Sequence, residues 1–206
     1  MSEIFRATPS IICSWMGGYK DDVVRGYFKL LDQPTPAMLE GKKWHTTFEE
    51  WVNQHQRWPL QFDPDGTMPA FINPVTEKKW VHRLLDWCDL VGKIDLYCEN
   101  GGGLVLDWKT GKTPASSHLN SAQTGIYALL LTAKGIPVKK VGIAHYDAKK
   151  KRADTAYRWV TKALISEAFE TVETVASEIH SYFQANGFYE AYGESRRKYY
   201  AQREAL

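Results

Sequence analysis

The sequence predicts a mixed α/β fold, with a central sheet, mostly antiparallel or mixed, flanked by helices. Three observations predict it. Apolar residues recur every three or four positions between residues 37 and 56 and again beyond residue 116, the spacing of one helix face. Between residues 80 and 108 the period falls to two, as in strands. Gly101, Gly102 and Gly103 then join two of those segments, a hairpin signal. The resulting order of helix, three strands, helix, strand and helix is that of a mixed domain.

Residues before 37 read as helical with loops. From about Ala37 to Gln56 a helix carries Trp44, Phe48, Trp51 and His55 on one face. Pro59 to Pro74 is rich in Pro, Gly and Asp and reads as loop. Trp80 to Leu85 is a first strand and Leu90 to Tyr97 a second. On the second, Val91, Lys93, Asp95 and Tyr97 share one face, with Ile94 and Leu96 on the other. Leu104 to Trp108 is a third, and the short turns between them imply an antiparallel meander.

Ser116 or Ser117 then caps a helix running to about Lys134, with Leu119, Ala122, Ile126, Leu129 and Leu130 as its apolar stripe. Gly135 and Pro137 end it. Val138 to Tyr146 reads as a strand, and Ala156 to Val160 as another. A long helix runs from about Thr161 to Ala185, and Asn186 and Gly187 close it. The 206 residues suit one domain spanning 1–206, with a core at about 37–160 and a helical N-terminal part and a C-terminal helix packed on it.

Composition narrows the function classes. Hydrophobic residues make up 44% and charged residues 24%, so neither a disordered nor a membrane protein is favoured. No apolar stretch approaches the ~20 residues of a membrane span. Cys13, Cys88 and Cys98 are scattered and odd in number, which suggests neither a disulfide framework nor zinc, and points to a reducing, cytoplasmic compartment. A net charge of +2 is neutral on nucleic acid, but Lys149 to Arg152 and Arg196 to Lys198 are basic runs of the kind that hold phosphates. A solvated surface is the other reading of each run.

Chemistry concentrates at Asp107-Trp108-Lys109. Phosphodiester hydrolysis needs a cation to stabilise developing charge and a positioned water to attack. Carboxylates hold Mg²⁺ or Mn²⁺, which are hard and prefer oxygen. On a strand, Asp107 and Lys109 point to the same face. The pattern alone recurs: Asp147-Ala148-Lys149 has the same form, and Glu77-Lys78-Lys79 and Glu40-Gly41-Lys42 are acidic variants. Context separates them. The hairpin folded at Gly101 to Gly103 can bring Asp95 beside Asp107, and two such carboxylates repel unless a cation lies between them. Asp147 has no acidic partner and leads into a solvated basic tract. Glu77 and Glu40 fall in loop-like or early helical sequence. A surface ladder of ion pairs across the hairpin is the competing reading of Asp95, Asp107 and Lys109.

Four segments in order carry a resemblance. They are Gly41-Lys42-Lys43-Trp44-His45, Gly92-Lys93-Ile94-Asp95, Leu104 to Gly111 with Asp107-Trp108-Lys109-Thr110-Gly111 at its end, and Gln123-Thr124-Gly125-Ile126-Tyr127. Together they resemble the RecB-like branch of the PD-(D/E)XK nuclease superfamily, over roughly Gly41 to Tyr127. The resemblance implies a restriction-endonuclease-like core and a metal-dependent DNA nuclease. It makes Asp95 and Asp107 metal ligands, His45 a third and the Trp108 carbonyl a fourth. A histidine ligand tilts preference from Mg²⁺ toward Mn²⁺. Lys109 then positions the nucleophilic water, Gln123 and Tyr127 lie one helical turn apart near substrate, and Thr110 and Lys112 contact it. No cysteine follows Cys98, so the iron–sulfur cluster of some relatives is not expected.

The implied activity is that of an exonuclease acting on DNA ends in recombination, repair or replication of a bacterial or viral replicon. An endonuclease on single strands, flaps or junctions is the alternative, with Trp44, Trp51, Tyr199 and Tyr200 available to stack unpaired bases. A non-catalytic DNA-binding protein on a nuclease fold is a third reading. No G-x-x-x-x-G-K-[ST] phosphate loop is present, so a helicase would be a partner, as would a recombinase or a single-strand-binding protein.

Overall fold

In a computed structural model, residues 4–30 and 33–204 are described, the side chains of Tyr200 and of residues 202–204 excepted. Six strands form one mixed sheet: β1 (Phe5–Ala7), β2 (Val75–Leu85), β3 (Cys88–Cys98), β4 (Leu104–Thr110), β5 (Lys140–Asp147) and β6 (Arg152–Trp159). The helices are α1 (Pro9–Met16), α2 (Lys20–Phe28), α3 (Pro36–His55), α4 (Ala115–Leu119), α5 (Ala122–Ala133), α6 (Lys162–Ala185) and α7 (Phe188–Glu204). A short 3₁₀ turn occupies Asn100–Gly102.

The meander is present: β2 pairs antiparallel with β3, and β3 with β4. Beyond it β4 pairs parallel with β5, and β5 antiparallel with β6. One edge of β3 is covered along its length by β2. Its other edge is shared. β1 runs parallel to residues 88–90, and β4 pairs with 96–98. Residues 91–95 therefore have no strand partner on that edge among the described elements, and Asp95 stands at the end of the opening.

Two apolar layers pack the sheet. Phe48 and Val52 of α3 meet Trp58, Phe71, Leu96, Leu106, Trp108 and Tyr146. The larger cluster joins Phe5, Ile12, Tyr27 and Phe28 to Ile126, Leu130, Val172, Ile179 and Phe183. The sheet is thus not confined to residues beyond 37. Phe5 and Ala7 are fully buried, and burial plus pairing with β3 makes a strand of a segment that reads locally as helix and loop.

Three local expectations change. The helix expected from Ser116 to Lys134 is two helices broken at Asn120, and neither Ser116 nor Ser117 is its cap, because α4 starts at Ala115 after Pro114. The Thr124 hydroxyl donates to the Leu119 carbonyl at 3.2 Å and accepts from Arg158 Nη2 at 2.6 Å, so a side chain takes over a helical hydrogen bond at the break. Strand β2 begins at Val75, directly after the loop, so Glu77 lies in a strand. Strict alternation on β3 also fails. Ile94 and Tyr97 join one apolar cluster, and Leu96 joins another.

Gly103 shows why the hairpin needs glycine. A β-carbon there would sit 2.0 Å from the Pro137 carbonyl oxygen, and its φ is +109°.

Candidate active site

Register assembles the site. Leu96 pairs with Leu106, so the next position places Asp95 opposite Asp107, where β3 and β4 diverge. Thr76 pairs with Leu96 and Lys78 with Ile94, which places Glu77 opposite Asp95 on the other side. Glu77, Asp95 and Asp107 therefore form one row across three neighbouring strands. Glu77 has a left-handed backbone, φ +51°, in mid-strand, the kind of departure that collects at functional sites.

Asp107 is 2% exposed and Asp95 8%. The Trp108 amide donates to Asp95 Oδ2 at 2.8 Å, linking the two motif strands where their ladder ends. Burial, and after it the charge of Asp107, pushes the Asp95 carboxyl well above the ordinary carboxylate range; the Trp108 amide opposes this. His45 projects from α3, which starts at Pro36 behind a Thr35 cap that accepts from the Met38 amide at 3.2 Å. Its Nδ1 lies 3.6 Å from Asp95 Oδ2, too far for a hydrogen bond. Burial holds the His45 imidazole below its ordinary value, which favours the neutral ring a metal requires.

A second network runs from Asp107 into α5. Lys109 Nζ stands 2.6 Å from Asp107 Oδ2 and donates to Gln123 Oε1 at 3.1 Å. Gln123 Nε2 donates to Asp107 Oδ1 at 3.1 Å and to the Tyr127 hydroxyl at 3.0 Å. The lysine contact is an ion pair without hydrogen-bond alignment, since no described donor is aligned on the buried Oδ2. The oxygen keeps acceptor capacity. Gly92 lets α5 approach: a β-carbon there would lie 2.7 Å from Leu130 and 3.4 Å from Tyr127.

The residues fit a divalent cation. Nitrogen or oxygen atoms of His45, Glu77 and Asp95 lie within 4.8 Å of one another. Asp107 is outside that trio, although its charge acts on both Asp95 and His45. A row of carboxylates, two of them buried, an acceptor oxygen with no aligned donor and a neutral imidazole are the donor set of Mg²⁺ or Mn²⁺.

Of the residues singled out from sequence, the structure brings together Asp95, Asp107, Lys109, the Trp108 backbone, His45, Gln123 and Tyr127. Thr110 lies against Gly41, whose β-carbon would be 3.2 Å from Thr110 Oγ1 and which lines the cleft over the trio. Thr110 and Lys112 also line a neighbouring cavity with Trp44, Gly111 and Lys149, and the cleft over the trio is lined by Met38, Gly41, His45, Glu77, Lys93 and Asp95. Glu77, in sequence that reads as loop-like, lies on β2 beside Asp95 and is an acid that no local pattern assigns to the site. Only the register of β2 on β3 reveals it. Asp147 leads into an exposed basic tract, residues 149–152, but is itself buried. It is 6% exposed and accepts from the Lys149 and Lys150 amides at 3.1 Å, closing the β5–β6 turn.

The stacking candidates are mostly taken up in packing. The Trp44 ring meets Tyr146 at 4.7 Å, and Trp51 Nε1 donates to the Trp58 carbonyl at 2.9 Å. Tyr199 lies under the Lys29 ammonium at 5.6 Å, and the Tyr200 side chain is outside the described residues.

Comparison with known proteins gives this geometry its family. The profile of the PD-(D/E)XK nuclease superfamily matches residues 19–203. The chain belongs to the PD-(D/E)XK nuclease superfamily. Solved structures share its fold. A putative exonuclease from Eubacterium rectale is 15% identical with a TM-score of 0.55, over 91% of this chain and 82% of that one. The alkaline exonuclease LHK-Exo from Laribacter hongkongensis is 12% identical with a TM-score of 0.51, over 90% and 93%. The protein SSO0001 is 14% identical with a TM-score of 0.55, over 85% and 77%. No curated protein matches the chain. No described helix of this PD-(D/E)XK protein is long and apolar enough to cross a membrane.

Proposed function

We propose that this PD-(D/E)XK protein is a divalent-metal-dependent deoxyribonuclease of the RecB-like branch, acting as an exonuclease on DNA ends. The observation that carries the reading is the row of Glu77, Asp95 and Asp107, the last two buried, flanked by His45 and by the Lys109 ammonium. Such a row is costly to fold unless a cation resides there.

Asp95, Asp107, His45 and the Trp108 carbonyl would hold the metal, and Glu77 joins that set. Bound there, a divalent ion supplies Lewis-acid stabilisation of charge on the phosphate and a more acidic water. The chain's own residues do the positioning. Lys109, with 25% of its side chain exposed, is held by Asp107 and Gln123 beside the row of carboxylates. There it can orient a water or a phosphate oxygen. Gln123 fixes the carboxylate of Asp107 and is itself fixed by Tyr127. The exonuclease fold neighbours favour action on ends over internal cutting.

The test is digestion of end-labelled linear DNA beside covalently closed circles, in Mg²⁺, Mn²⁺ and EDTA. The reading expects loss of linear DNA only, and only with metal. Circles degraded as fast as linear DNA would reject the exonuclease, and no cleavage in either metal would reject the nuclease.

A further inference from the structure

The segment that joins Lys109 to Gln123 is pinned from the far edge of the sheet. Residues 111–122 run from the end of β4 through α4 into the first turn of α5, so their placement decides whether Gln123 reaches Lys109 and Asp107. At the start of the segment, the Gly111 carbonyl oxygen lies 2.8 Å from His145 Nε2, and His145 Nδ1 lies 2.6 Å from Asp154 Oδ1. The other oxygen of Asp154 accepts from the Ala115 amide at 2.9 Å, where α4 begins. One carboxylate of β6 thus holds both sides of the turn 111–115, through a histidine that is 3% exposed. Lys109, His145 and Asp154 are register partners in one row across β4, β5 and β6.

The end of the segment is held from the same strand. Arg158 Nη2 donates to Thr124 Oγ1 at 2.6 Å, and the Thr124 hydroxyl donates to the carbonyl of Leu119, the last residue of α4. Thr124 is 1% exposed and follows Gln123 directly. Asp154 and Arg158 are four residues apart on edge strand β6, so their side chains leave one face about 13 Å apart. Arg158 Nε is buried with no hydrogen-bond partner among the described residues. A guanidinium held inside with one donor unmet costs stability, so its bond to Thr124 fixes position more than it adds stability.

Resting on the nuclease reading above, we propose that Asp154 and Arg158 are positioning residues for phosphodiester cleavage. They clamp residues 111–124 at two points and so hold Gln123 against Lys109 and Asp107, each 3.1 Å from its amide. With either clamp point lost, α4 and the first turn of α5 can shift, and the ammonium and the carboxylate lose the amide they share. A misplacement of about 1 Å among such groups costs on the order of a hundredfold in rate. The effect falls on the chemical step and spares metal affinity, because neither clamp residue lines the metal cleft.

The experiment compares Asp154→Ala and Thr124→Val, which each remove one clamp point, with Thr124→Ser, which keeps the hydroxyl. The Asp154 side chain is 33% exposed, so its variant tests the clamp even if Thr124→Val fails to fold. Single-turnover cleavage of linear DNA in Mn²⁺, with enzyme in saturating excess, reads the chemical step whatever fraction is folded. The expected result is a rate constant lowered at least tenfold (~10-fold) in the first two variants and restored to within about threefold by Thr124→Ser. Mn²⁺ and DNA affinities should stay within about threefold. In a Gln123→Ala background, Thr124→Val should cost less than about threefold, because the clamp acts through Gln123. Hydrogen exchange of the metal-free protein should speed at least tenfold (~10-fold) over residues 111–124 in both clamp variants and stay unchanged in β3 and α6. Wild-type rate constants with only a lower melting temperature overturn the positioning role, as does a full further loss in the Gln123→Ala background. Unchanged exchange over residues 111–124 in both variants overturns the clamp whether or not the protein cleaves. Wild-type protein that cleaves no DNA in any metal removes the nuclease, and faster exchange then leaves the clamp standing.

Discussion

The backbone amide of Trp108 donates to the side chain of Asp95 at 2.8 Å, across the point where β3 and β4 part. That bond joins two motifs separated in sequence by a glycine hairpin. It leaves the Trp108 side chain fully buried in the core while its peptide unit faces the site. Core packing and candidate metal site are therefore connected through one residue.

Lys109→Ala should abolish cleavage, by about a hundredfold or more, while leaving metal binding nearly intact, because the ammonium contacts Asp107 and Gln123 and is no ligand. Asp107→Ala should lose both. Single-turnover cleavage beside Mn²⁺ calorimetry separates them, and equal loss of metal binding in the two variants would contradict the assigned roles.

Asp95→Asn should stabilise the metal-free protein. Its carboxyl has a folded-state pKa above the ordinary 3.8, so between the two values the folded state holds a proton that the unfolded state releases. Unfolding free energy of the metal-free wild type then falls as pH rises through that window, and the penalty is complete above it. Asparagine removes the charge and can still accept from Trp108. Melting temperatures in EDTA should favour the variant at neutral pH and converge with wild type in acid. A variant less stable than wild type at neutral pH would count against carboxylate repulsion at the site.

Glu77→Gln should weaken Mn²⁺ binding by about tenfold, as a member of the trio with His45 and Asp95. Glu77 also pairs with Lys93, so Lys93→Gln is the control. If the two substitutions weaken metal binding equally, Glu77 acts through its ion pair and is not a ligand.

Asp147→Ala should leave cleavage unchanged but lower the melting temperature by a few degrees (~2–4 °C). Its carboxylate satisfies two turn amides and has no contact with the row of acids. Activity loss comparable to that of Asp107→Ala would mean that the wrong D-x-K had been chosen.

Much of the molecule is legible in the sequence because its signals are local. Helix α3 shows in its aromatic spacing, the β3–β4 hairpin in its three glycines, and α6 in its periodic stripe closed by Asn186 and Gly187. Asp95, Asp107 and Lys109 are legible for the same reason, since a hairpin register is set by its turn. Other features depend on contacts distant in sequence. β1 is a strand because residues 88–90 offer an edge to it. The break at Asn120 depends on Arg158 reaching Thr124 from β6. Glu77 enters the site through the register of β2 with β3. Sequence alone determined that Asp95, Asp107 and Lys109 could form a cation site, because that is a property of residue type and near spacing. Tertiary structure decided which residues join them, because strand pairing and helix docking join residues that no local pattern connects.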